Sequence, residues 1–414
     1  MSLNTNAGQM DRQDERLNND NSLLGKWKSL TEKVRGGDLG QLPVLFGLVI
    51  IAVIFQSINP FFLSSANLVN LLMQSAAVGV IALGIVIILL VGEIDLSVGS
   101  VSGLAASAFA VTLTTRGFPI IASLLLAISI GIAIGALYGV IFNRIGLPSF
   151  VISLAGLLGF VGFQLWVLGK AGTINLPFES AIVRFGQLAF IPEPVSYLIC
   201  ALVGLGYFLS RYRESSARKK VNLSSTSIAS IATKSLSLSL VLIFVAWYLN
   251  KDRGVGWMFL LFVGLVLLMN HLLNTTAWGR SIYAVGGNVE AARRSGINVK
   301  RVYMSAFVLC STFAAIGGLL AAGRLASAAQ SSGGGDVNLN AIAAAVIGGT
   351  SLFGGRGSAF SALLGIIVIQ SISSGLTLLN LDSDVRYMIT GLVLLIAVSL
   401  DAIARKSRTS KGKA

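Results

Sequence analysis

The chain has 414 residues, of which 54% are hydrophobic and only 12% charged, with a mean hydropathy of +0.81. An ordinary soluble domain carries roughly 25% charged residues, so a water-soluble fold is excluded. The 46 glycines, about 11% against a usual ~7%, accompany only 7 prolines, which excludes a disordered or collagen-like chain and suits close helix contact in lipid.

Residues 1–41 form a polar cytoplasmic tail with no short apolar signal at its head, so the first spanning segment is expected to remain as an uncleaved anchor. Charge-free apolar windows near the ~20 residues that cross about 30 Å of hydrocarbon then follow in series. They are Pro43 to Ile58, Leu68 to Val91, Leu96 to Thr115, Phe118 to Asn143, Pro148 to Gly169, Pro194 to Ser210, Leu236 to Asn250, Gly254 to Leu273, Val302 to Gly323, Leu339 to Gly349, Ser358 to Leu381 and Tyr387 to Leu400. The fold class expected is therefore an all-α polytopic transmembrane bundle of 10–12 helices over residues 42–404, four of the windows being short. Residues 405–414 make a second basic cytoplasmic tail.

The net charge of +14 would suggest nucleic acid in a soluble protein, but here Lys and Arg gather in loops and tails. Cytoplasmic loops of membrane proteins are the basic ones. Numbering the windows from a cytoplasmic N-terminus puts most Lys and Arg inside and leaves only Arg116, Lys170, Arg184, Lys251, Arg253, Arg324 and Arg386 outside. Both termini are then cytoplasmic. The basic, Ser-rich insert from Arg211 to Lys234 reads as a mobile cytoplasmic loop meeting anionic lipid.

Two Gly-broken polar segments, Gly92 to Ser100 and Gly349 to Ser358, interrupt the apolar series in a similar rhythm. Five helices before residue 170 and five after 254, separated by two, would place the halves in opposite orientations, an inverted repeat.

Few groups are suited to chemistry. Of 17 acids, only Glu93 and Asp95 lie directly between long apolar helices, where they either cap the next helix or gate a path. The one histidine, His271, reads as interfacial, and Cys200 and Cys310 as reduced packing residues. No metal or cofactor site and no catalytic residue are expected. No phosphate-binding G-x-x-x-x-G-K-[ST] occurs: Gly25-Lys26, Gly169-Lys170 and Gly412-Lys413 are followed by Trp27, Ala171 and Ala414. Any ATP must therefore be hydrolysed by another subunit.

Within the loop 274–301, Asn288 is a favourable N-cap, Glu290 puts negative charge in a first turn, Ala291 and Ala292 favour helix, and Arg293 and Arg294 complement the C-terminal end before Gly296. A short helix outside the bilayer is expected there, either a well-capped connecting turn or a docking element. Polar residues within apolar helices, Asn70, Gln74, Ser75, Gln164, Gln370, Ser371, Ser373 and Ser374, are candidates to line a path for an uncharged polyol or to bond a neighbouring helix. Asn70 and Gln74, four apart, share one face leading toward the Glu93 segment.

The stretch Gly279-Arg280-Ser281-Ile282-Tyr283-Ala284-Val285-Gly286-Gly287-Asn288, with Ala291-Ala292, Ser295-Gly296-Ile297, Gly92 to Ser100 and Gly348 to Ser358, resembles the permease subunits of ribose- and xylose-type ATP-binding-cassette (ABC) importers. The likeness runs from about Phe46 to Arg405. Glu93 and the extra length from Arg211 to Asn250 bring it nearer the xylose branch. The resemblance implies an inner-membrane permease that pairs with itself as a homodimer, binds two ATPase subunits, and receives a monosaccharide, a pentose such as xylose, from an extracytoplasmic sugar-binding protein. It implies no nucleic-acid partner and no enzymatic activity. It makes Gly287, Asn288, Glu290, Ala291, Ala292, Arg293, Arg294, Ser295 and Gly296 the ATPase-coupling residues, beside a substrate path at Asn70, Gln74, Glu93 and Asp95. The alternatives are an ion-coupled secondary sugar transporter and a membrane-embedded transferase.

Overall fold

A computed structural model describes residues 42–382 except 222 and 224, and beyond them only 384, 385, 388, 389, 391, 392 and 395. The two polar tails and most of the twelfth apolar window lie outside the described residues. The chain divides into two compact units, one holding residues 40–190 and 256–405, the other 191–255.

The larger unit opens with α1 (Leu42–Ile58) and α2 (Ser65–Leu90), the second capped by Ser64, whose side chain accepts from the Asn67 N–H. An irregular stretch leads to α3 (Val98–Ala110), which a π-helical turn extends to Thr115. Next come α4 (Ile120–Ile145), α5 (Ser149–Leu168), strand β1 (Thr173–Asn175) and short α6 (Ala181–Gln187). After the break in the unit lie α9 (Trp257–Thr275), α10 (Ala277–Gly287), α11 (Val289–Arg294), α12 (Val299–Leu325), β2 (Ser327–Ala329), α13 (Gly335–Ile347) and α14 (Phe360–Leu378). The intervening α7 (Glu193–Lys220) and α8 (Ile228–Leu249) make the smaller unit. Among the described residues nine helices are long and apolar enough to cross a membrane, with α1 and α13 shorter. Each of the first eleven apolar windows holds one of these helices.

The core is built around α12. In lipid, helices gain little from burying apolar surface against one another, so close approach through small residues matters more. On α4 the glycines 131, 135 and 139 recur every four residues and face α12. A Cβ at Gly135 would sit 2.5 Å from Phe307 O and Val308 Cα, and one at Gly131 would sit 2.7 Å from Ser311 O. α2 packs antiparallel on the same helix, Gly84 against Cys310 and Gly317 against Ala77 and Ile81. The continuous run Val80 to Val91 is buried on all sides, as expected of a central helix.

The two halves repeat an order. A helix of 26 residues (α2), a break over 91–97 and a helix of 13 (α3) are matched by one of 27 (α12), a break over 326–334 and one of 13 (α13). Because α2 and α12 run antiparallel, the second half is inverted. This corrects the sequence pairing of Gly92 to Ser100 with Gly349 to Ser358: the partner of the first break is 326–334. The two short helices begin beside one another, where the Gly99 N–H donates to Asn338 Oδ1 and a Cβ at Gly99 would stand 2.6 Å from Gly333 O. β1 and β2 pair antiparallel, Thr173 opposite Ala329, and tie the end of α5 to the end of α12.

In the smaller unit the antiparallel pair α7–α8 is fastened by Ser235 Oγ donating to Gly204 O at 2.7 Å and by Asn250 Nδ2 donating to Ser196 Oγ at 3.0 Å. The insert 211–234, expected as a mobile loop, is mostly helical, because α7 continues to Lys220 and α8 starts at Ile228. Glu214, Ala217, Arg218 and Lys219 are good helix formers, an Arg211–Glu214 ion pair at 2.7 Å links successive turns, and Ser227 caps α8 by accepting from the Ser230 N–H.

Candidate coupling site and substrate path

The loop 274–301 folds as a helix–cap–helix unit. Thr276 caps α10, its hydroxyl accepting from the Gly279 N–H at 3.1 Å, and Trp278 Nε1 donates to Ser305 Oγ at 2.8 Å, which fastens α10 to α12. α10 ends at Asn288, whose extended backbone (φ −159°, ψ 108°) breaks the helix and whose Oδ1 accepts from the Ala291 N–H at 2.9 Å to start α11. The short helix expected from the sequence is therefore present, with the expected cap. Glu290 pairs with Arg293 at 2.7 Å, both side chains more than half exposed. Gly296 ends the turn at φ 86°, a conformation that favours glycine. Ala292 alone of α11 is buried, anchoring it to the body, while Gly287, Asn288, Glu290, Ala291, Arg293, Arg294, Ser295 and Gly296 are exposed. Arg144, Arg280, Lys300, Arg301 and Arg356 are exposed as well, on the segments that end or begin at this side of the bundle.

The three sequence segments that carried the resemblance meet here. The Gly355 N–H donates to Leu90 O at 2.9 Å, joining the 349–358 loop to the end of α2. Gly286 lies against the same carbonyl, and a Cβ there would stand 2.6 Å from Gly355 N. The Tyr283 hydroxyl donates to Gly357 O at 3.0 Å. Burial pushes that hydroxyl above the ordinary tyrosine value, so it stays a donor. Sequence reasoning gave Tyr283 no role, since one tyrosine in a short helix carries no periodicity or charge signal.

The four path candidates fall at two ends. Asn70 is exposed and Gln74 half-buried near the start of α2; Glu93 and Asp95 lie past its far end, about 30 Å along the axis at 1.5 Å per residue. Glu93 is half-buried beside Ser149. Asp95 is fully buried: Oδ1 accepts from the Ser97 N–H at 2.8 Å and the Ser97 hydroxyl at 2.7 Å, Oδ2 meets the Cys310 thiol at 3.8 Å, and the Tyr138 hydroxyl donates to Ser97 Oγ at 2.8 Å. Other polar residues are spent on the fold. Ser75 donates to Leu71 O, Ser374 to Asn67 Oδ1, and Gln164 Nε2 reaches Ala329 O at 2.9 Å and Ser332 O at 3.0 Å. Gln370 and Ser373 are half-buried and Ser371 is buried. No group of three His, Cys, Asp or Glu able to hold a metal occurs among the described residues.

A polytopic helix bundle with two interrupted short helices meeting inside it, and a capped amphipathic turn at one end, has the architecture of a membrane permease. A family model described as the branched-chain amino acid transport system / permease component matches residues 67–398, and the chain belongs to that family. The chain is 34% identical to the xylose transport system permease protein of Escherichia coli (strain K12) over 347 residues, 83% of this chain and 87% of the relative. It is 33% identical to the corresponding Haemophilus influenzae protein over 371 residues, 88% and 97% of the two chains. It is 32% identical to the ribose import permease protein of Bacillus subtilis over 365 residues, 88% and 94%. No solved structure matches. The chain is thus a multi-pass permease component of a bacterial inner membrane and a transport subunit rather than an enzyme.

Proposed function

We propose that this chain is the membrane-spanning subunit of an ATP-driven importer of a monosaccharide, a pentose of the xylose type. The observation that carries the reading is the convergence of the three family-like segments at one end of the bundle, under a short helix that presents Asn288, Glu290, Arg293 and Arg294 outward. ATPase subunits dock on that helix, and a sugar-binding protein delivers substrate to the opposite end, where α2 begins. A cytoplasmic docking end is supported by its exposed cations, which among the described residues outnumber the exposed acid Glu290. Both termini lie on that side, 1–41 and 405–414 being cytoplasmic tails flanking a permease domain over 42–404. The chain works as a homodimer, and the cations closing α7, Arg213, Arg218, Lys219 and Lys220, meet anionic lipid headgroups.

Sugar enters past Asn70 and Gln74 and leaves near Glu93, while Asp95 holds the start of α3 and acts on the path only by positioning it. The test is reconstitution of the full chain, with its ATPase and sugar-binding protein, in liposomes. Xylose uptake that requires ATP on the ATPase side is expected. Uptake driven by an ion gradient with no ATPase subunit present would overturn the reading in favour of a secondary transporter.

A further inference from the structure

At the coupling end, three segments remote in sequence touch through backbone atoms rather than through side chains. A Cβ on Gly354 would lie 2.7 Å from Gly286 O and 2.9 Å from Gly92 Cα, and one on Gly355 would lie 2.9 Å from Gly287 Cα. Gly354 and Gly355 stand at φ 81° and 71°, so the turn that lets the loop reach both partners requires glycine at these two positions. Two hydrogen bonds close the arrangement: Gly355 N–H to Leu90 O at 2.9 Å and Tyr283 Oη to Gly357 O at 3.0 Å. Tyr283 lies one turn before Gly286 and Gly287 on α10, so its hydroxyl and the glycine contact act from the same face of that helix.

Contact of this kind has no rotamer slack. A side chain between two helices can change rotamer and absorb a displacement, but backbone against backbone at van der Waals distance passes it on. The segment that α10 meets is joined at once to α2, through Leu90 O, and to α13 and α14, which flank the 348–359 loop.

We infer that this three-way glycine contact is the joint through which movement of α10–α11 reaches the bundle, and that Tyr283 is the positioning residue that holds the loop against it. The inference rests on the reading that an ATPase docks on α11. Tyr283 touches neither sugar nor nucleotide; it keeps the 349–358 loop seated while α10 moves.

The test uses the full complex of chain, ATPase subunit and sugar-binding protein in liposomes, and reads xylose moved per ATP hydrolysed. Tyr283→Phe keeps the ring and loses only the bond to Gly357. Gly286→Ala forces a methyl onto Leu90 O, whereas Gly264→Ala, on α9, meets nothing within 4 Å. Tyr283→Phe and Gly286→Ala are expected to lower the ratio by about threefold to tenfold, the scale of one net hydrogen bond, while Gly264→Ala stays at the wild-type ratio. Co-purification of the ATPase is expected with all three variants.

A wild-type ratio in Tyr283→Phe overturns the inference, and so does an equal loss in Gly264→Ala, which would show that the effect does not belong to the glycine contact. Should Gly286→Ala fail to fold, Tyr283→Phe decides. A wild-type chain that binds no ATPase would instead refute the proposed function.

Discussion

The glycine row on α4 permits a worked prediction of stability. Gly135→Ala adds a methyl 2.5 Å from Phe307 O and Val308 Cα, both backbone atoms of α12 that no rotamer change can remove. Ordinary carbon contacts begin near 3.5 Å, so α4 and α12 must separate by about 1 Å and the neighbouring contacts at Gly131 and Gly139 loosen with them. Overpacking of this kind costs about 1–3 kcal/mol. Against it stands the gain of roughly 0.8–1.0 kcal/mol from replacing glycine by alanine within a helix. The net for Gly135→Ala is destabilising.

Gly162 on α5 supplies the control, since a Cβ there meets nothing within 4 Å and only the propensity gain remains. The order is also fixed within the row. Gly139→Ala should be the mildest, because its nearest neighbour is the flexible Met304 Sδ at 2.6 Å, with backbone no nearer than 3.1 Å. Thermal unfolding of the full chain in one detergent, followed by loss of monodisperse protein, reads the sign. Gly135→Ala should lower Tm and Gly162→Ala should leave it level or raise it. Equal shifts in the two variants would refute the account of α4–α12 as glycine-mediated contact.

Asn288→Ala combined with Glu290→Lys removes the cap of α11, worth about 1 kcal/mol, and reverses the charge at its N-terminus; sugar-stimulated ATPase activity of the assembled transporter should fall while membrane insertion persists, and unchanged stimulation would count against the docking assignment. Gln164→Leu leaves the Ser332 carbonyl without its side-chain donor and Ala329 O with the Ser332 N–H alone, a loss of about 1–3 kcal/mol that should appear as a lower Tm; an unchanged Tm would show that the 329–332 segment is held by its own turn and the β1–β2 pairing. Asp95→Asn keeps an acceptor for the Ser97 N–H, whereas Asp95→Leu strands both Ser97 donors in the interior. The yield of folded protein should therefore be higher for Asn than for Leu, and equal yields would mean that the start of α3 does not depend on this contact.

Much of the helix inventory was legible because crossing hydrocarbon imposes a length and an absence of charge that show in sequence. Eleven windows from Pro43 to Leu381 each hold a helix for that reason. Features with another physical origin were not legible. α7 runs past its apolar window to Lys220 because helix propensity and the Arg211–Glu214 pair continue after hydrophobicity has ended. α10 was hidden because its 11 residues are too short for a window, and β1–β2 because three-residue strands carry no readable alternation.

The candidate site divides in the same way. The cap and charges of α11 are local, so Asn288, Glu290 and Gly296 could be read directly. The placement of Asn70 and Gln74 at the end of α2 remote from Glu93 follows from helix length, and the meeting of Leu90, Gly286 and Gly355 follows from tertiary packing. Glycine spelling points to the wrong partner for the first break, whereas what recurs is the order of a long helix, a break and a short helix, with different residues in each break.

Close backbone contact serves two mechanical ends in this molecule, and the difference lies in its extent. Between α4 and α12 it continues over two helical turns, from Gly131 to Gly139, with no hydrogen bond between backbones to break. Displacing one helix means displacing the other, so α4, α12 and the α2 that packs on Gly317 move as one body. At Gly286 and Gly355 it is confined to a few residues and closed by two hydrogen bonds, so it fixes each segment to the others at one point and leaves the rest of each segment to follow.

A push arriving at Leu90 therefore meets a stiff α2–α4–α12 core. The stretches where backbone dihedrals are not locked into long helices are the breaks 91–97 and 326–334. Those breaks lead into α3 and α13, each of 13 residues, whose starts are bound to one another through Gly99 and Asn338. α3 belongs to that same body, since its 13 residues are buried and a Cβ on Gly318 of α12 would fall on Ser102 O, so the breaks can bend only as far as that contact allows.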